Sequence, residues 1–196
     1  MKIVCIGDSL TFGYGVNQDE SWFAKVSEDL ANIEFVNKGI PGNTTNDMLL
    51  RFEKDVVEIS PKYVLVMGGT NDVLMGCEVD SISSRIIQLI NNSKNSGIIP
   101  ILIIQPPVNE NVKEKKWFLD CDYKMANAGL EVFRENVIKE MGSSGTHYID
   151  IYGMFSELAK NSIEGKYYID DGIHLTKEAH EYIYSEIVRE LKRIVI

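Results

Sequence analysis

Four short polar stretches carry the residue types from which a reaction could be built. Asp8 and Ser9 follow an apolar run, Ile3-Val4-Cys5-Ile6, that breaks on Gly7. Asn37-Lys38-Gly39-Ile40-Pro41-Gly42-Asn43-Thr44 has the glycines and proline of a loop with special backbone geometry. Gly69-Thr70-Asn71-Asp72 follows a second apolar run, and Asp171-Gly172-Ile173-His174 comes late in the chain. Acyl transfer needs a nucleophile, a base, a group that orients the base, and donors for the developing oxyanion. A serine, a histidine, a carboxylate three residues before it and a set of loop N–H groups are all present. A serine hydroxyl alone is a weak nucleophile, and an ordinary imidazole is neutral enough at cellular pH to take its proton.

Each stretch also has a plain structural reading. Asp8-Ser9 can be a strand-to-loop turn with a capping serine. Gly39 and Gly42 can serve a turn, and Asn71-Asp72 can cap the next helix. Asp171 and His174, beside Thr176, can form a helix entry. His147 and His180 fall in a strand and on a helix and read as structural. What separates the functional reading from these is the placement of the stretches at successive strand ends, which the intervening elements decide.

Those elements alternate in type. Short continuous apolar runs at 3–6, 33–36, 63–67, 98–104 and 147–151 read as strands buried on both faces. Pro100 is awkward inside a central strand, so pairing is expected to start after it. Helical spacing appears at 20–31 through Trp22, Phe23, Val26 and Leu30, and at 45–57 through Met48, Leu49, Phe52 and Val56, with Pro61 as its stop. It returns at 80–95 through Ile82, Ile86, Leu89 and Ile90, with Gly97 beyond it, and at 126–141 before Gly142. Residues 157–168 read as loop or broken helix. The last helix carries Ala179, Ile183, Ile187 and Leu191 behind a Thr176 cap. Strands alternating with helices predict βαβ units, a five-stranded parallel sheet and a three-layer α/β/α sandwich. Because the strands are parallel, the first three polar stretches leave the same edge of the sheet, where open α/β sheets bind ligands. Asp171 to His174, just before the last helix, is within reach of that edge.

Composition narrows the classes. With 196 residues and no repeat or linker, a single domain over 1–196 is expected. The net charge of -9 leaves no basic surplus for nucleic acid. No stretch approaches the roughly 20 apolar residues that span a bilayer, and the first apolar run is too short for a signal segment, so a cytoplasmic protein is expected. Cys5, Cys77 and Cys121 are odd in number and widely spaced, which argues against a disulfide framework or a zinc site.

Gly7-Asp8-Ser9-Leu10-Thr11, Asn37-x-Gly39-x-x-Gly42-x-Thr44, Gly69-Thr70-Asn71-Asp72 and Asp171-x-x-His174 resemble the four blocks of the GDSL or SGNH hydrolases, in the right order from residue 7 to residue 174. That family comprises esterases, lipases, thioesterases and carbohydrate deacetylases on a flavodoxin-like sandwich. The resemblance implies that Ser9 is the nucleophile, His174 the general base and Asp171 its orienting carboxylate. It implies oxyanion donors at the Ser9 and Gly39 backbone N–H groups and at the Asn71 side chain, with no metal and no cofactor. The G-x-S-x-G elbow of α/β-hydrolases is absent, since Thr11 stands at its last position.

Two other classes were weighed. Asp8, Asp72, Asp170, Asp171 and His174 could surround a divalent metal, although no HExxH-type motif is present. A phosphate- or flavin-binding module would need an anion beside Asp8, and no P-loop lysine pattern exists. The substrate is expected to be a small soluble acyl ester, with acyl-thioester, lysophospholipid or acetylated carbohydrate as alternatives on the same machinery. Candidate substrate contacts are Asp8, Val73, Leu74, Met75 and Trp117. Trp117 and Phe118 lie in 105–119, the longest stretch without a clear period.

Overall fold

The computed structural model describes residues 1–112, 117, 120–161 and 166–195. Its centre is β1 (Lys2–Gly7), which pairs in parallel with β2 (Glu34–Gly39) on one side and β3 (Tyr63–Met67) on the other. β4 (Ile99–Ile104) and β5 (His147–Asp150) complete a five-stranded parallel sheet in the order β2-β1-β3-β4-β5. The apolar runs are continuous because a parallel sheet inside a sandwich has no wet face. Successive side chains therefore divide between two cores. Val4, Ile6, Val64, Val66, Leu102 and Ile104 point to one, and Ile3, Cys5, Leu65, Met67, Ile101 and Ile103 to the other.

The first core is closed by α3 (Thr45–Phe52), α5 (Val79–Asn95) and α6 (Tyr123–Ser144), through residues such as Met48, Ile86 and Phe133. The second is closed by α2 (Trp22–Asp29), α7 (Ile151–Asn161) and α8 (Lys177–Ile194), through Trp22, Phe155 and Ile183. The predicted three-layer sandwich is the observed one. Two further helices are too short to show a period: α1 (Ser9–Phe12) and α4 (Thr70–Leu74), one directly after β1 and one directly after β3. Thr44, Asp122 and Thr176 cap α3, α6 and α8 through their side-chain oxygens.

Several boundaries differ from the sequence reading. Gly142 does not end α6, which continues to Ser144; Gly145, at φ 63°, takes the left-handed position that closes it. A glycine inside a helix costs stability without forbidding the helix, whereas the terminating residue must adopt positive φ. The helix expected over 45–57 is regular only to Phe52 and then widens into a π turn over Glu53–Val57, with Asp55 and Val56 buried. Pro100 lies within β4, opposite Val64. The Ile99 N–H points to Lys62 of the β3 side, so position 100 faces β5, whose pairing begins only at Ile101 opposite His147. The missing N–H of Pro100 thus falls where there is no ladder bond to lose. Ile151 begins α7 rather than ending β5, and α7 covers the first part of 157–168; residues 162–165 lie outside the described residues.

His180 is structural, as expected, and carries a pH liability. It is fully buried on α8, and its Nδ1 accepts the Trp22 backbone N–H at 3.2 Å, which ties α8 to the start of α2. Burial, with Lys25 adding positive charge nearby, pushes its pKa down to about 4. The unfolded chain then binds a proton that the folded one refuses, so stability is lost as pH falls from the ordinary histidine range toward 4. His180→Asn keeps an acceptor for Trp22 but does not titrate. Its denaturant midpoint is expected to fall less than the wild type's between pH 7 and pH 4.5; parallel loss in both proteins would remove His180 as the cause.

Candidate active site

Ser9 is the first residue of α1, and a helix of four residues cannot hold itself together. Its polar ends are satisfied from outside. Asp8 caps it, accepting the Leu10 N–H at 2.9 Å. Trp22 Nε1 donates to the Leu10 carbonyl at 2.8 Å and Asn37 Nδ2 to the Thr11 carbonyl at 3.0 Å. Gly13, at φ 87°, turns the chain out while its N–H returns to the Ser9 carbonyl. The strand ends press against this helix. A Cβ at Gly39 would stand 2.3 Å from the Phe12 nitrogen, and one at Gly7 would stand 2.4 Å from the Met67 carbonyl oxygen.

His174 and Asp171 arrive on the turn before α8. Ser9 Oγ lies 2.9 Å from His174 Nε2, and His174 Nδ1 lies 2.6 Å from Asp171 Oδ2. All three residues are buried. The other carboxylate oxygen of Asp171 accepts the backbone N–H groups of Ile173 and His174, each at 2.9 Å. Burial works to raise the Asp171 pKa, but the His174 ring and these two N–H groups hold it at about 2. The carboxylate is therefore charged at any working pH and fixes Nδ1 as the protonated ring nitrogen, leaving Nε2 to accept from Ser9.

The remaining predicted residues divide. Asn71, on α4, is buried, and its Nδ2 donates one hydrogen to the Asn43 carbonyl at 2.9 Å while carrying a second. The Gly39 N–H donates to Asn37 Oδ1 at 2.8 Å, so it reaches another acceptor only by leaving or sharing that bond. Asp8 is 1% exposed and is engaged as the α1 cap, with one carboxylate oxygen on the Leu10 N–H. Val73, Leu74, Met75 and Trp117 line one groove of about 800 Å³ with Met125 and Ala126. Leu74 is mostly committed to the first core beneath it. Phe118 and the rest of 113–119 apart from Trp117 lie outside the described residues.

Sequence reasoning missed the braces. Asp72 is fully buried and accepts the Thr45 N–H at 2.8 Å, the Thr45 hydroxyl at 2.6 Å and Arg85 at 3.0 Å, which locks the turn after β3 to α3. Arg51 donates to the Gly7 carbonyl, to Asn43 Oδ1 and to Asp55 Oδ2, joining the end of β1, the loop after β2 and the π turn. The i, i+4 spacing of Arg51 and Asp55 was the available signal. Tyr14 packs its ring 4.4 Å from that of His174. Of the acids that could surround a metal, Asp8 is engaged by Leu10, Asp72 by Thr45 and Arg85, and Asp171 by its own turn and His174. Among the described residues, no three His, Cys, Asp or Glu side chains converge as a metal site.

The fold and this arrangement define a class: an α/β/α sandwich presenting a serine, a histidine and an aspartate at the carboxyl edge of a parallel sheet. The chain belongs to the GDSL-like lipase/acylhydrolase family, whose model matches residues 5–182. It is 26% identical to the arylesterase of Vibrio mimicus over 97% of this chain and 88% of the relative. Identity is 24% to thioesterase 1/protease 1/lysophospholipase L1 of Escherichia coli (strain K12), over 98% of this chain and 84% of the relative. The lipoprotein YqeF of Bacillus subtilis (strain 168) is 32% identical over 63% of this chain and 56% of its own length. Among solved structures, a lipolytic protein of the G-D-S-L family from Desulfitobacterium hafniense DCB-2 superposes with a TM-score of 0.76 at 25% identity, covering 96% of this chain and 98% of that one. Among the described residues no helix is long and apolar enough to cross a membrane.

Asp8 yields a test of the site's electrostatics. Burial raises its pKa to about 6, against the pull of the Leu10 N–H and the His174 ring, and Asp72 adds to the rise. The fold then disfavours the charged form, so stability falls as pH rises from about 4 to about 6. Asp8→Asn keeps an oxygen for the cap and is expected to raise the denaturant midpoint above wild type at pH 7.5, with the gap closing below pH 4. This slope runs against that of His180 over the same window, so each is read as a difference from wild type. A midpoint for Asp8→Asn equal to wild type at both pH values would show that the carboxylate costs nothing.

Proposed function

We propose that the chain is a serine esterase that cleaves small, soluble carboxylic esters through an acyl-enzyme. The observation that carries the reading is the relay from Ser9 Oγ to His174 Nε2 at 2.9 Å and from His174 Nδ1 to Asp171 Oδ2 at 2.6 Å. Ser9 Oγ attacks the ester carbonyl while its proton passes to Nε2, and the Asp171 carboxylate stabilises the imidazolium. The tetrahedral oxyanion is met by the Ser9 N–H, which as the first of a helix has no partner within it, and by the second Asn71 hydrogen. Gly39 joins them when its N–H turns from Asn37 Oδ1. The carbonyl re-forms as the C–O bond to the alcohol breaks, with His174 giving its proton to the departing oxygen. Water, deprotonated by the same nitrogen, then releases the acid and restores Ser9.

The reading takes a small-molecule ester as its partner, with no metal or cofactor in the steps and a cytoplasmic site of action; the similarity to a lipoprotein makes cell fractionation the check on location. A second reading has one observation in its favour. The groove of about 800 Å³ lined by Val73, Met75 and Trp117 has room for more than an acetyl group, which suits the longer acyl chains of a thioesterase or lysophospholipase.

Four measurements test these statements. Ser9→Ala is expected to abolish turnover with the fold intact and to lose labelling by a fluorophosphonate probe; a labelled Ser9→Ala protein would mean that the nucleophile lies elsewhere. Asn71→Ala is expected to lower kcat by roughly 10²–10³-fold with a smaller change in KM, as loss of one preorganised donor does. Exhaustive chelation is expected to leave activity unchanged, against recovery by an added metal ion. Across chromogenic esters, kcat/KM is expected to fall beyond a few acyl carbons. A rise through eight or more, at about 0.8 kcal/mol per buried CH₂, would favour the second reading.

A further inference from the structure

The Asp171 carboxylate takes four hydrogen bonds. Three come from its own turn: the Ile173 and His174 N–H groups on Oδ1, and the His174 ring on Oδ2. The fourth comes from 54 positions away, where Trp117 Nε1 donates to Oδ2 at 3.1 Å. Oδ2 is thus shared between the histidine it serves and an indole. The rest of Trp117 belongs to a different surface. Its ring is 57% exposed, lines the groove with Val73, Met75 and Met125, and stands edge-on to both Tyr14 and His174, with centroids 6.1 and 6.4 Å away.

We propose that Trp117 is a positioning residue that sets how strongly Asp171 supports His174, and that it does so from the wall of the substrate groove. The inference rests on the assignment of Ser9, His174 and Asp171 as the catalytic relay. The physical argument concerns one oxygen with two donors. A second N–H on Oδ2 draws off part of the negative charge that would otherwise hold the imidazolium, and it fixes the carboxylate plane against rotation about Cβ–Cγ. The first effect weakens the support that Asp171 gives the imidazolium form of His174. The second keeps Oδ2 in line with Nδ1 after the backbone N–H groups have anchored Oδ1. A group lying in the groove touches the indole face while the indole edge touches the carboxylate. Substrate contact and base strength therefore meet in one side chain.

Other titratable groups surround the pair: Asp8 at the start of α1, Tyr14 against the imidazole, Tyr123 from α6 with its hydroxyl on the Asp171 carbonyl, and Asp170 next to Asp171. Of these only Tyr14 also touches the Trp117 ring, so Trp117→Phe, which keeps an aromatic ring there, is the variant whose difference from wild type isolates the indole N–H.

Trp117→Phe keeps an aromatic wall and deletes the donor; at a position this exposed it leaves the core untouched. Its kcat/KM profile is expected to have an acid limb displaced to higher pH by roughly half to one unit, with KM for a short ester changed less than about twofold. The downfield proton resonance of the His174 Nδ1–H, read by NMR without substrate, is expected to move further downfield as Oδ2 regains its charge. Trp117→Ala is expected to show the same displaced limb and, in addition, a raised KM for esters with apolar acyl groups. An unmoved acid limb and resonance in Trp117→Phe would overturn the proposal, as would a change confined to KM, which would leave Trp117 as groove wall alone. The resonance also separates this inference from the one beneath it. If Ser9→Ala stays active the relay is wrong, whereas an unmoved resonance in Trp117→Phe rejects the indole link whatever the identity of the nucleophile.

Discussion

The site depends on a helix too short to exist alone. Four residues cannot recover the cost of nucleating a turn, so α1 holds its shape only because its neighbours supply what its own length cannot. Asp8 occupies its N-terminus, Trp22 and Asn37 take its carbonyls, and Gly7 and Gly39 leave the space in which it sits. Each of those groups is positioned by a separate part of the fold: β1, the start of α2, and the end of β2. The strand register that brings Gly7 opposite Gly39 and Met67 is therefore also what points Ser9 at the cleft. Trp22 is the large core side chain that also braces α1 directly, through its indole N–H on the Leu10 carbonyl.

Asp8 and Asp171 show how one residue type acquires two characters a few ångströms from one imidazole. Both are nearly inaccessible to water. Burial drives Asp8 up to about 6 because one N–H on one oxygen is its main compensation. Asp171 has two N–H groups on one oxygen and a ring nitrogen and an indole on the other, and it stays near 2. More donors and a less complete desolvation act together to keep Asp171 an anion at any working pH.

The architecture was legible because it rests on periodicity. Uninterrupted apolar runs and spaced apolar faces give parallel strands and covering helices without any knowledge of contacts. The clustering of polar residues at strand ends follows from the same pattern, which is why Ser9, Asn71 and His174 could be picked out together. What escaped was set by side-chain bonds that no period announces, two of them local and one long-range. Nothing about Asp8 in the chain says that its carboxylate would turn inward to cap α1. Nothing about Gly39 says that Asn37, two residues earlier, would claim its N–H. Trp117 stands in an aperiodic stretch and meets Asp171 only through tertiary placement. The end of α6 was missed for a local reason, since Gly142 and Gly145 look alike until φ distinguishes them.

Ser9 and His174 are 165 positions apart, and the strand that carries the first is hydrogen-bonded on both sides before the turn that carries the second is reached. The sheet can assemble from β1 outward, but the relay closes only when α8 docks against α2 and His180 meets the Trp22 N–H. The two ends of the polypeptide thus share one contact: the Ser9 hydroxyl, near the start, meets its imidazole only on a turn just before the last helix.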